Sequence, residues 1–296
     1  MSASPLRQLA RQKAQEYAQR DDLIAVAITG SVARGTTWAG SDVDLWAFTR
    51  HDDPDFEDGV ENDLYWEIDI KPLAWLETAP DVWLRPPALE NNDGISPLEA
   101  LWGCEIIKDE DGTLTRLKQT IDQHMADAAW LHRRAENYLT YGRGVLEGLF
   151  YADPLRAMVL AREVAVKYGV AAYWMKRGRL MSSGTRIPEQ LADTPDIHYL
   201  FRLIYALNGK ATLDEFFGNL THLNPDIQKK IAPDLENEVK PAYRNGNYEG
   251  ALVYMRQGLP RWFSPYEVLP ILGIPVNQVE HRARLLPWVW ELLEKV

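Results

Sequence analysis

The sequence predicts an α+β protein, with a mixed β-sheet flanked by helices in residues 1–120 and an all-helical region in residues 121–296. Short apolar segments of strand length, bounded by turn residues, recur in the first part. From about residue 120 the apolar residues follow a helical period, and Gly, Pro and Asn separate the periodic blocks. A length of 296 residues suits one large domain or two ordinary ones. We therefore expect two domains that meet at 120/121.

The first part alternates helices and strands. The predicted elements, in order, are a helix (6–20), a strand (23–29), a turn with a short helix (31–37), strands at 43–49 and 65–72, a helix (73–84), a turn (91–94) and a fourth strand (101–108). The strand at 23–29 is apolar and β-branched, which favours a buried strand. The acidic run at 51–63 favours a solvated loop, and the alternative is a surface segment at the edge of the domain that binds a polycationic molecule.

The second part is predicted to be helical throughout. The expected helices cover residues 122–150, 154–177, 188–206, 213–218, about 226–240, 247–258 and 285–295. Pro154 suits the first turn of a helix, and Gly178 suits a position just after a helix end.

Composition limits the class of protein. Cys104 is the single cysteine, which excludes an internal disulfide and a cluster of thiolate metal ligands. No apolar run approaches the roughly 18 residues of a membrane span, and the N-terminus lacks the apolar region of a signal peptide, so we expect a cytoplasmic protein that does not bind membranes. Residues 1–120 hold 23 acidic and 11 basic side chains, a net charge of −12. This acidic region disfavours long nucleic acid and favours a cationic partner.

The segment from Gly30 to Leu45 carries the main chemical signal. Gly30 and Ser31 form a small-residue turn after the first strand, where backbone N–H groups are able to approach phosphate oxygens. Asp42 and Asp44 stand at i and i+2, so they share one face of the next strand. Paired carboxylates beside a phosphate-binding turn suit Mg²⁺-dependent chemistry on a nucleotide. Glu67 and Asp69 likewise share one face of the third strand.

The motifs GSVARG (30–35) and SDVDL (41–45) resemble the signature of the polymerase-β-type nucleotidyltransferase superfamily, in the form seen in its small aminoglycoside-type members. The resemblance implies a nucleotidyltransferase catalytic domain that binds a nucleoside triphosphate and two Mg²⁺ ions. It also implies a third carboxylate on the strand next to Asp42 and Asp44. Asp69, between Ile68 and Ile70, is expected to be this third metal ligand, and Glu67 is the alternative ligand or the general base.

The same resemblance suggests residues that contact the nucleotide phosphates. Gly30, Ser31, Arg34 and Ser41 surround the motif and supply backbone N–H, hydroxyl and guanidinium donors. The helical region is similar, over a short stretch, to the corresponding domain of aminoglycoside adenylyltransferases. This second similarity implies phosphate contacts from Arg162 and Arg186.

The resemblance leads to an expected reaction, the transfer of a nucleoside monophosphate, most often AMP from ATP, onto a hydroxyl group. The helical region, residues 121–296, is then expected to bind the acceptor or to complete the nucleotide site. The acidic first part favours a small cationic acceptor such as an aminoglycoside, and hence a role in antibiotic resistance. The alternatives are a transferase acting on tRNA or on a protein partner, as in toxin–antitoxin systems, and a non-catalytic nucleotide-binding module. Monomer and homodimer both remain open.

Overall fold

The computed structural model describes residues 4–38, 41–51, 54–77, 80–88, 97–180, 186–205, 213–215, 217–218, 225–262 and 278–296. The chain divides into two compact units, one formed by Met1–Pro87 with Asn91–Leu131 and the other by Ala88–Glu90 with His132–Val296. The predicted fold class is confirmed, because a sheet with helices is followed by a helical region. The predicted turn at 91–94 lies outside the described residues.

The first unit holds a five-stranded sheet with the strand order β3-β4-β2-β1-β5. Its strands are β1 (Leu23–Ile28), β2 (Val43–Thr49), β3 (Asp55–Glu61), β4 (Leu64–Pro72) and β5 (Glu105–Asp109). β2 and β4 are parallel, and the other neighbouring pairs are antiparallel, so the sheet is mixed. Its helices are α1 (Pro5–Ala18), α2 (Gly30–Arg34), α3 (Pro97–Leu101) and α4 (Thr113–Ala126), with short 3₁₀ segments at Leu73–Glu77 and Pro80–Leu84.

The two faces of the sheet differ in what they bury. Helix α1 packs on one face, where the core is apolar and includes Leu9, Ala10, Ala14, Val26, Ile28, Val43, Leu45, Ala47, Ile68 and Ile70. Because strand side chains alternate, Asp44 and Trp46 of β2 point to the opposite face. There the Trp75 ring lies 4.6 Å from the Trp46 ring and 6.1 Å from the Phe48 ring, measured between centroids. Aromatic packing thus covers the C-terminal end of β2, and the carboxylates stand at its N-terminal end.

The acidic run contains a strand rather than only the predicted solvated loop. Residues 55–61 form β3, which pairs with β4 along its whole length. The side chains of Glu57 and Glu61 bond to α1 and the residues after it, because Glu57 accepts from the Tyr17 hydroxyl at 2.5 Å and Glu61 accepts from Gln12 at 2.9 Å. These bonds to α1 hold an acidic segment in a strand conformation that its composition disfavours.

Other elements also differ from prediction. The helix predicted at 73–84 is replaced, among the described residues, by the 3₁₀ segments Leu73–Glu77 and Pro80–Leu84. Residues 101–108 are not one strand: α3 ends at Leu101, Gly103 turns with φ +72°, and β5 begins at Glu105. The helix predicted at 122–150 is interrupted at Asp127, whose carboxylate accepts from the Ala129 N–H at 2.9 Å and so caps a new helix, α5 (Ala128–Leu149). The boundary between the units falls within α5, because α4 packs on β5 and belongs to the first unit.

The second unit is helical in the residues described. A long helix comprises α6 (Pro154–Val164), a π-helical segment at Ala165–Val170 and α7 (Ala171–Met175). The other helices are α8 (Ile187–Leu191), α9 (Pro195–Tyr205), α10 (Pro225–Asp234) with a π-helical segment at Leu235–Val239, α11 (Lys240–Arg244), α12 (Tyr248–Trp262) and α13 (Gln278–Lys295). α13 packs against α6 and α9. Among the described residues, no helix has the length and hydropathy needed to cross a membrane.

Candidate active site

The turn after β1 brings the backbone of Gly30 against the side chain of Asp44. The Thr29 N–H donates to the Asp44 carbonyl at 2.9 Å, which ties the turn to β2. Gly30 has φ +62°, and a Cβ atom built on it would lie 1.8 Å from Asp44 Oδ2. A side chain at this position would therefore occupy the space of the Asp44 carboxylate. The glycine that the motif predicts is required here for both its backbone conformation and its lack of a side chain.

Arg34 lies at the end of α2, close to the same carboxylate. Its guanidinium donates to the Trp102 carbonyl at 3.4 Å and stands over the Trp102 ring, 5.8 Å from the centroid. Burial lowers the pKa of Arg34, and the negative charge of Asp44 partly opposes that shift. The structure thus places a cation near Asp44, where an anionic substrate group would also meet it.

The pairing of β2 with β4 decides which carboxylate stands beside Asp44. Asp44 is paired with Glu67, and Trp46 is paired with Asp69. In a parallel pair, directly opposed residues point to the same face, so Glu67 is the neighbour of Asp44 on the site face. Asp69 lies two pairs further along the ladder, opposite Trp46, and forms an ion pair with Lys71 at 3.2 Å. The register favours Glu67 over Asp69 as the third carboxylate, the reverse of the order expected from the sequence.

Asp58 joins this row from β3, and sequence reasoning did not select it. It is paired with Glu67 in the β3–β4 ladder, so Asp58, Glu67 and Asp44 form one row across three strands. The Tyr65 hydroxyl donates to Asp58 at 2.7 Å. Burial raises the pKa of Tyr65, the hydrogen bond to Asp58 adds to the shift, and the charges of Glu67, Asp58 and Asp42 act in the same direction. One sequence feature could have indicated Asp58. Phe56, Asp58 and Val60 stand at every second position, a spacing that places them on one face of a strand.

Asp42 precedes β2 and is partly withdrawn from solvent. Burial raises the pKa of Asp42, as expected for a carboxyl group whose charged form is poorly solvated. Ser41 fixes the chain just before it, because the Ser41 hydroxyl accepts from the Trp38 N–H at 2.9 Å and the Ser41 N–H donates to the Trp38 carbonyl at 3.0 Å. A hydroxyl that accepts one bond still has its own hydrogen to donate, so this role is compatible with a phosphate contact. Ser31 lies in the first turn of α2 and is half-buried.

The two arginines predicted from the helical region lie in the second unit. Arg162 is 2% exposed, and its guanidinium donates to the carbonyls of Ile204 at 2.9 Å and Met158 at 3.3 Å. Burial lowers the pKa of Arg162 to about 10. This burial conflicts with the expected phosphate contact, and the bonds give Arg162 a structural role at the end of α9. Arg186 directly precedes α8, and residues 181–185 of the predicted basic loop lie outside the described residues.

The carboxylate oxygens of the site suit a magnesium ion that is also bound by the phosphates of a substrate. Among the described residues, no group of three or more His, Cys, Asp and Glu side chains is arranged to hold a metal ion by itself. Mg²⁺, however, is usually held by one or two carboxylates together with substrate phosphates and water, rather than by a complete protein cage. Asp44 against the Gly30 backbone, with Glu67 beside it in the ladder, supplies such a partial set of hard oxygen ligands.

Comparison with known families agrees with this geometry. Residues 10–93, which contain the C-terminal part of α1, the Gly30 turn, β2 and β4, match the nucleotidyltransferase domain family. The first unit contains a nucleotidyltransferase domain. The enzyme class is accordingly that of a nucleotidyltransferase, and the general reaction is nucleotidyl transfer.

Whole-chain comparisons add little to the domain match. A crystal structure of a nucleotidyltransferase-like protein from Exiguobacterium sibiricum 255-15 is similar at 15% sequence identity, covering 98% of this chain and 91% of that chain with a TM-score of 0.30. Among curated proteins, none matches this sequence. The family match covers residues 10–93 of the chain.

Proposed function

We propose that this nucleotidyltransferase transfers a nucleoside monophosphate, with ATP as donor and Mg²⁺ as cofactor, to a hydroxyl group of a small cationic acceptor. The observation that carries the proposal is the row of carboxylates on one sheet face, with Asp44 packed against the Gly30 turn and Glu67 paired beside it. A phosphate-binding turn next to paired hard-oxygen ligands suits the triphosphate of a nucleotide bound with a divalent ion.

Asp42, Asp44 and Glu67 are the residues that would hold Mg²⁺, and Asp69 remains the alternative to Glu67. When bound, the ion compensates the charge on the triphosphate and lowers the pKa of the attacking hydroxyl. The raised pKa of Asp42 supports this assignment, because a bound cation would offset the cost of ionising a partly buried carboxyl.

The other residues of the turn position the phosphates. The backbone at Gly30 and Ser31 and the hydroxyl of Ser41 supply neutral hydrogen-bond donors, and Arg34 supplies a charged one. Arg34 is anchored on the Trp102 carbonyl and ring, so its guanidinium is held near Asp44 before substrate binds. Such anchoring reduces the entropy that a flexible arginine would lose on binding a phosphate.

A small cationic acceptor is favoured by the charge of the first unit. Residues 1–120 have a net charge of −12, and the site face itself carries Asp42, Asp44, Asp58, Glu67 and Asp69. This field attracts ammonium groups and repels the backbone of nucleic acid. An aminoglycoside acceptor would make the reaction an antibiotic modification in the cytoplasm, where ATP and Mg²⁺ are available.

The test is a transfer assay on the full-length chain. ATP, GTP, CTP and UTP are each incubated with Mg²⁺ and with neomycin, bulk tRNA or a protein extract, and transfer is followed by pyrophosphate release and acceptor mass. We expect the mass of neomycin to increase by one AMP, and we expect Asp44→Asn to abolish pyrophosphate release. Asp55→Asn is the matched control, because Asp55 is exposed and lies on the opposite face of β3 from Asp58.

The possible results separate the alternatives. Transfer to tRNA or protein, with none to neomycin, would replace the small acceptor by a macromolecular one. Nucleotide binding without any transfer would favour the non-catalytic module. Pyrophosphate release that is equal in wild type and Asp44→Asn would refute the assignment of the site.

A further inference from the structure

The site face of β3 presents two large apolar side chains to solvent. Phe56 is 52% exposed and Val60 is 67% exposed, and both lie on the same face of the strand as Asp58. The ladder pairs Phe56 with Asp69, Asp58 with Glu67 and Val60 with Tyr65. β3 is an edge strand of the sheet, so this stripe borders the carboxylate row directly.

The stability of β3 does not account for these apolar side chains. The strand is attached through its other face, where Glu57 receives hydrogen bonds from Tyr17 and Arg20 and Glu61 receives them from Gln12 and Lys13. Exposed apolar residues on an edge strand carry a risk of edge-to-edge association, which natural sheets reduce with charged residues. An apolar, acidic, apolar stripe next to an active site is instead suited to a ligand that is both apolar and cationic.

Asp58 is oriented for such a ligand. One of its oxygens accepts from the Tyr65 hydroxyl at 2.7 Å, which fixes the carboxylate on the site face. An ionised carboxylate has about four acceptor positions, so further N–H donors are able to bind. Neighbouring strands lie about 4.8 Å apart, so Asp58 and Asp44, two strands apart, are separated by about 10 Å. A ligand of that length would reach from Asp58 to the residues proposed to hold the nucleotide.

We infer that Phe56, Asp58 and Val60, with Tyr65 behind Asp58, form the acceptor-binding subsite and recognise an ammonium-bearing sugar. An ammonium group binds to the Asp58 carboxylate, and the apolar faces of the sugar rings pack on Phe56 and Val60. A hydroxyl elsewhere on the acceptor then lies at the nucleotide. This inference rests on the proposed function, because it assigns the acceptor side of the same site.

The test measures neomycin binding to the full-length chain by isothermal titration calorimetry. Asp58→Asn removes the charge while keeping the shape, and we expect binding to weaken about tenfold, which corresponds to 1.4 kcal/mol. Asp55→Asn makes the same change on the other face of β3, and we expect binding within about twofold of wild type, since exposed charges away from a contact contribute little. Phe56→Ala tests the apolar contact and should also weaken binding. Circular dichroism spectra check that each variant is folded.

Two companion measurements identify the source of a failure. Binding of ATP with Mg²⁺ is titrated on the same proteins. If wild type binds neither ATP nor neomycin, the proposed function fails. If wild type binds ATP, and Asp58→Asn and Asp55→Asn bind neomycin with equal affinity, only the subsite is overturned. Absence of neomycin binding in a wild type that binds nucleotide also overturns it. The remaining explanation is that this face of β3 is an interface between two copies of the chain, which light scattering after gel filtration tests. A wild-type dimer that is dissociated by Phe56→Ala, with neomycin affinity unchanged, would show such an interface and overturn the subsite.

Discussion

Replacing Gly30 by alanine tests the contact on which the site depends. The added Cβ would lie 1.8 Å from Asp44 Oδ2, and an ordinary contact begins at 3.4 Å, so the carboxylate has to move by about 1.6 Å. Alanine also has to adopt φ +62°, a left-handed conformation that costs roughly 1–2 kcal/mol for a residue with a side chain. Gly30→Ala therefore combines a backbone cost with displacement of an active-site carboxylate.

Gly35→Ala separates these two effects. Gly35 has φ +67°, nearly the same conformation, but a Cβ built on it has no atom within 4 Å. We expect both variants to lose about 1–2 kcal/mol of unfolding free energy from the backbone cost. Only Gly30→Ala displaces Asp44, and a misplacement of about 1 Å in an active site is able to lower the rate by about 100-fold.

The assay compares pyrophosphate release per folded molecule. Denaturant unfolding gives the stability of each variant, and the rate is measured well below the unfolding transition, so loss of folded protein does not contribute. We expect Gly30→Ala to be slower than Gly35→Ala by about two orders of magnitude at similar stability. Equal rates in the two variants would refute the reasoning, because they would show that the contact between Gly30 and Asp44 does not set the geometry of the reaction.

Glu67→Gln should lower the transfer rate by about 100-fold, the usual order for removing one electrostatic group of an active site. Asp69→Asn should lower it by less than about tenfold. The opposite ranking would contradict the choice of Glu67 as the third carboxylate. Arg162→Met should lower the unfolding free energy by about 1–3 kcal/mol, because the Ile204 carbonyl loses its buried donor. The KM for ATP should not change. A raised KM in a variant of unchanged stability would instead show that Arg162 contacts the nucleotide phosphates. Burial raises the pKa of Glu105, but the hydrogen bonds and charges of Arg7 and Arg11 on α1 have the larger effect, so the pKa of Glu105 is lowered. The stabilisation, about 1 kcal/mol, should be present at pH 7 and disappear as the pH falls below about 4. Unfolding of wild type and Glu105→Gln across that range measures it, and a difference that persists at pH 3 would contradict it.

The sequence was sufficient to predict the strand and turn that position the motif. β1 is a continuous apolar segment that includes the β-branched residues Ile24, Val26 and Ile28. The Gly30 turn, then Asp42 just before β2 and Asp44 within it, follow at fixed spacing. These features are local, because each depends on residues close together in the chain. The structure adds that the Gly30 backbone lies against the Asp44 carboxylate.

The choice between Glu67 and Asp69 depends on a non-local pairing. Both residues share one face of β4, so the period of the strand cannot distinguish them. The register with β2 places Glu67 opposite Asp44, and this register depends on contacts between segments more than twenty residues apart. Sequence pattern in β4 alone contains no information about it.

Partners distant in sequence also explain β3 and Arg162. Acidic residues are uncommon in strands, and β3 forms because α1 supplies donors for Glu57 and Glu61. Arg162 resembles a surface arginine in sequence, but it donates to the carbonyl of Ile204, a residue 42 positions later. Burial of this kind depends on the packing of helices that local sequence does not specify.

The most direct test of the carboxylate site is the binding of Mn²⁺, which is detected by electron paramagnetic resonance and prefers the same oxygen ligands as Mg²⁺. The full-length chain is titrated with Mn²⁺ in the presence of a non-hydrolysable ATP analogue. We expect tight binding to wild type and to Asp69→Asn, and weak binding to Asp44→Asn and Glu67→Gln. Equal binding by all four proteins would show that Asp44 and Glu67 do not hold the metal, and the proposed site would be wrong.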